Sequence, residues 1–77
     1  MDISTSSLYD KKMSDPRLTA IEKTCPQCGT MMVATGTMYH SRVTSDWFIE
    51  YWCPGDEEMF HIWNPEYEAL IEAIARQ

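Results

Sequence analysis

The chain has 77 residues, twelve acidic against six basic side chains, three cysteines and a net charge of −6. That length admits one small domain, with a core too marginal to stand without a staple. An odd cysteine count excludes a closed disulfide framework, and no apolar run reaches the roughly 18 residues of a membrane span. Residues 1–13 are polar and aperiodic, and read as a flexible tail ahead of a single domain over residues 14–77. The opening Met1-Asp2-Ile3-Ser4-Thr5-Ser6-Ser7 has neither the basic start nor the apolar stretch of a signal peptide. A cytoplasmic location follows as the expectation, in a reducing compartment where cysteines more often bind metal.

Asp15-Pro16 opens a short helix, with an Asp cap and Pro at the first helical position. Leu18 and Ile21 share its apolar face, and Pro26 ends it. From Met31 the character turns to strand. Met31 to His40 form one extended segment interrupted at Gly36, a candidate bulge, and Ser41 to Ser45 turn the chain. Along the next strand Trp47, Ile49, Tyr51 and Cys53 fall on one face, with Phe48, Glu50 and Trp52 on the other. After the turn at Pro54-Gly55-Asp56, Met59 to Trp63 supply a third strand. Asn64 and Pro65 then start a C-terminal amphipathic helix whose apolar face is Tyr67, Leu70, Ile71 and Ile74. The expected fold is α+β: a short N-terminal helix, a three-stranded antiparallel sheet and a C-terminal helix packed on it.

Cys25-Pro26-Gln27-Cys28-Gly29 carries the strongest chemical signal. Two thiolates separated by two residues can bind one metal ion, and the glycine lets the backbone turn back beneath the second. Cys53-Pro54-Gly55-Asp56 repeats the outline at the end of a strand. Over residues 25–63 this pattern resembles the zinc-ribbon family, in which two such turns share one structural zinc. The resemblance implies a small zinc ribbon with a degenerate second turn, holding structural Zn2+ through Cys25, Cys28 and Cys53. Structural zinc takes four ligands. Asp56 stands where the family's fourth cysteine would be, and His61 on the third strand is the alternative fourth ligand; His40 lies toward the far end of the first hairpin. The competing reading is a metal-free cluster of buried thiols. A thioredoxin-like role lacks its βαβ context, and an electron-transfer iron site would want four thiolates.

Charge is uneven along the chain. Residues 1–42 balance at +1, whereas residues 43–77 carry Arg76 alone against eight acids and stand at −7. Such a surface disfavours phosphate backbones, so nucleic acid is an unlikely partner, and it suits a basic patch on another protein. Phe48 and Trp52, with Trp47, Asp46 and Glu50, are the candidate interaction residues, aromatic anchors beside acids. No nucleophile–base arrangement or phosphate-binding glycine loop argues for an enzyme. The expected function is a non-catalytic interaction or regulatory protein that docks on a basic protein surface. The alternatives are a transcription-related ribbon contacting RNA polymerase and a nucleic-acid-binding ribbon using aromatic stacking. Ribbons of the elongation-factor type carry an acidic pair at the tip of the second hairpin. Arg42-Val43-Thr44-Ser45-Asp46 holds a single acid there, so the resemblance does not carry a cleavage activity with it.

Overall fold

Alternating apolar and polar side chains between Met31 and Ile62 place one face of a sheet against the core and the other outside. The computed structural model describes residues 9–76. It contains β1 (Tyr9–Ser14), β2 (Glu22–Thr24), β3 (Met31–Ser41), β4 (Trp47–Cys53), β5 (Glu58–Ile62) and one helix, α1 (Glu68–Ala75). All the pairings are antiparallel, in the order β1-β3-β4-β5. The short β2 pairs with the first residues of β3, while β1 pairs with its later residues, so the two share one flank of a long central strand.

The inner face carries Met32, Ala34, Met38, Ile49, Tyr51 and Cys53, all buried. Leu18 and Ile21 cover it from one side, and Ile71 and Ile74 of α1 complete the same cluster. The C-terminal helix therefore packs on the sheet, through the face that its spacing marks. Its entry is capped by Asn64, whose side chain accepts from the Glu66 N–H at 3.2 Å and donates to the Tyr51 hydroxyl at 3.0 Å. One buried amide thus starts the helical segment and satisfies a core phenol. The first turn, Pro65–Tyr67, is a tighter 3₁₀ turn that leads into α1.

Two expectations need correction. The sheet has more than three strands, because β1 and β2 lie in segments read as tail and helix. Of the expected tail, residues 9–13 belong to β1 and residues 1–8 lie outside the described residues. The exposed Lys11 and Lys12 gave β1 a polar look, which suits an edge strand. Asp15 and Pro16 do start a helical segment, but it is a five-residue 3₁₀ turn that stops at Ala20. A segment this short gains little from propensity. The backbone after Ile21 is instead satisfied by pairing Glu22–Thr24 with β3. The 3₁₀ turn seats where β3 is irregular against β4, between Ala34 and Met38, and the Asp15 N–H donates to the Gly36 carbonyl at 2.9 Å.

Candidate metal centre

Two turns at one end of the sheet bring the candidate ligands together. The first leaves β2: the Cys25 N–H donates to the Thr30 carbonyl at 2.8 Å, and the Gly29 N–H returns to the Cys25 carbonyl at 3.0 Å. The second joins β4 to β5: the Glu57 N–H returns to the Cys53 carbonyl at 2.7 Å. Each turn aims backbone N–H groups at its leading sulfur, Gln27 to Cys25 and Asp56 to Cys53, both at 3.4 Å. At Cys53 the Asp56 N–H favours the thiolate, against the burial of the sulfur.

The ligand atoms of Cys25, Cys28, Cys53 and Asp56 all lie within 4.8 Å of one another. Cys28 Sγ is 3.5 Å from Cys53 Sγ, and Cys25 Sγ is 3.3 Å from Asp56 Oδ2. Tetrahedral zinc implies ligand–ligand edges of about 3.6–3.8 Å. The two shortest pairs lie near that range and no pair exceeds 4.8 Å, so the set is compatible with a metal site. Cys25 and Cys53 are buried, Cys28 is exposed and Asp56 is half-buried, which makes one side of the centre the rim. Hydrogen bonds from the Thr30 hydroxyl and backbone hold the Cys28 thiol below its ordinary range. Burial pushes Cys53 up to about 11, so a metal binding there displaces its proton. Thr30 was not singled out from sequence. Its only trace there was a hydroxyl two positions after Cys28.

His61 is not a member of this group. It stands opposite Glu50 on the outer face, with Nε2 3.1 Å from Glu50 Oε2 and Nδ1 3.2 Å from the Tyr9 hydroxyl. The alternative fourth ligand thus lies outside the cluster: strand register turns His61 away from the side on which Cys53 is buried. His40 is bound to Asp10 at 2.7 Å, at the other end of β3.

The candidate interaction residues separate into different environments. Glu50 accepts from Thr35 at 2.7 Å and from Tyr39 at 3.4 Å, besides facing His61. Burial alone would raise its carboxyl, but hydrogen bonds from Thr35 and His61 outweigh it and leave Glu50 below the ordinary carboxylate value. Phe48 is half-buried under the Tyr9 ring, 6.2 Å away and edge-on. Tyr9 reaches this face because the β1–β3 register shifts between Tyr9 and Lys11. Trp47 sits half-buried on the core side, 5.0 Å from the His40 ring. The Asp46 carbonyl receives the Ser41 N–H at 2.8 Å and closes the β3–β4 turn. Of the five, Trp52 is the one that counts as exposed.

No protein-family model, curated protein or solved structure matches this chain. The four converging donors thus stand as a candidate metal site on their own geometry. No helix among the described residues is long and apolar enough to cross a membrane.

Proposed function

We propose that Cys25, Cys28, Cys53 and Asp56 hold one structural Zn2+, that the chain is a zinc ribbon with a degenerate second turn, and that it serves as a non-catalytic interaction module. The observation that carries this is the convergence of four donors from two turns far apart in the chain. Three thiolates and one carboxylate suit zinc, and with every position taken by protein the ion supports folding rather than chemistry. Closing the β2–β3 turn onto the β4–β5 turn supplies the staple that so short a chain needs. The acidic second half would then meet a basic protein surface, held in shape by the metal.

Native mass spectrometry of zinc-loaded protein, with and without a chelator, tests the ligand set. One zinc per chain is expected, lost on chelation together with thermal stability. Asp56→Ala should weaken zinc by more than the about tenfold that losing an outer-shell partner costs, while His61→Ala should leave it unchanged. Absence of stoichiometric zinc after loading would overturn the proposal. So would equal weakening by His61→Ala.

A further inference from the structure

The outer face of the sheet is not uniform. At the β1 end Tyr9, Tyr39, Phe48 and His61 pack on one another, with Tyr39 4.8 Å and Tyr9 5.7 Å from His61. At the other end, nearest the two cysteine turns, the same face is exposed among the described residues. Val33 stands opposite Trp52, and Trp52 opposite Met59, so three apolar side chains form one row across β3, β4 and β5. Val33 is 49% exposed, Trp52 36% and Met59 55%, and Met31, two residues before Val33 on the same face of β3, is 50% exposed. The helical segments that cover the sheet, Leu18 with Ile21 and α1, lie on the opposite face. Single exposed apolar residues are ordinary, but four in adjoining positions on one sheet face mark an interaction surface.

Its surroundings indicate the occupant. Glu22 continues the row on β2, opposite Val33. Asp56, Glu57 and Glu58 lead directly into Met59, and Glu50 is the next outer-face residue along β4 from Trp52. Between Val43 and Ala75 the chain has no lysine or arginine. We infer that the Met31–Val33–Trp52–Met59 strip is a docking site for a protein segment that places aliphatic or aromatic side chains between lysines or arginines. This rests on the interaction-module reading above and names the surface it uses. A second copy of the chain is disfavoured because it would bring acids against acids, and phosphate backbones are disfavoured for the same reason. Trp52 at the centre of the row is the anchor, with the acids at the rim supplying steering and specificity.

The probe is a synthetic nine-residue peptide of alternating lysine and leucine, with a glutamate–leucine peptide as control, titrated into zinc-loaded protein. Backbone amide and methionine methyl NMR shifts read the contact site. Saturable binding of the lysine peptide is expected, weakening as salt rises, with the largest shifts at Val33, Trp52 and Met59. Trp52→Ser and the more exposed Met59→Ser should each weaken it about tenfold or more while their unliganded spectra stay folded. Equal binding of the glutamate peptide would overturn the inference. So would concentration-dependent dimerisation through the same strip, or tighter binding of a single-stranded oligonucleotide there. Binding that maps instead to Glu66, Glu68 and Glu72, untouched by either variant, would defeat the strip and leave the module reading standing. No binding of the lysine peptide anywhere would defeat both.

Discussion

The two cysteine turns correspond position by position: Cys25 with Cys53, Pro26 with Pro54, Gln27 with Gly55, Cys28 with Asp56 and Gly29 with Glu57. Both close with a hydrogen bond from the fifth residue to the carbonyl of the first, at 3.0 and 2.7 Å. Both put that fifth residue at positive φ, +80° for Gly29 and +54° for Glu57. The backbone device is shared, and the side chains differ at the last three positions. A Cβ on residue 55 would lie 2.6 Å from Thr30 Oγ1 and 3.1 Å from Cys28 Sγ. The second turn must therefore be bare there to lie against the first. Gln27, its counterpart, is exposed. The second turn also replaces a thiol by a carboxylate and a glycine by a strained glutamate. Similar backbone thus persists where the side chains differ, which indicates that the hydrogen bonds shape the turn.

That comparison can be broken most sharply at its shared position. Cys25→Ser and Cys53→Ser should behave alike, because both sulfurs are buried. Each should abolish stoichiometric zinc and, at free zinc 1,000-fold above the parent Kd, lower stability by about 4 kcal/mol in denaturant titration. Gly55→Ala should cost about 2 kcal/mol by crowding Thr30, against a change within about 0.5 kcal/mol for Gln27→Ala, both read from unfolding midpoints. Asp56→Cys restores the first turn's ligand to the second and should tighten zinc at least about tenfold in chelator competition, near 1.4 kcal/mol. Smallest is the fifth position: Glu57→Gly should stabilise by about 1 kcal/mol and Gly29→Ala should cost about as much. Nothing lies within 4 Å of a Cβ at Gly29, so that loss is conformational alone. Equal effects of Gln27→Ala and Gly55→Ala would show that the turns do not pack as described.

Much of the fold was legible in residue patterns. Period-two alternation along Trp47–Cys53 placed Ile49, Tyr51 and Cys53 inside, where they are buried. The spacing of Ile71 and Ile74 marked the packed face of α1, and the irregularity near Gly36 appears as the shifted β3–β4 register. The first strands were less legible. Pairing is non-local: Lys12 meets Tyr39 and Lys23 meets Met32. No local signal in an edge strand with exposed lysines reports those partners. The outer face was half-legible, since alternation put Phe48, Glu50 and Trp52 together but could not tell which of them other strands would cover.

Sequence alone determined the donor types, their two turns and the acidic bias after residue 43, because spacing and charge are properties of the covalent chain. It put Asp56 only narrowly ahead of His61 as the fourth donor of the same centre. Only the tertiary structure placed Asp56 in the cluster and His61 outside it, by strand register. Pairing His61 with Glu50 commits it to the outer face, while the β4–β5 turn carries Asp56 to within 3.3 Å of Cys25. Which face a strand residue meets is set by its partner across the sheet, and that partner is chosen by the fold as a whole.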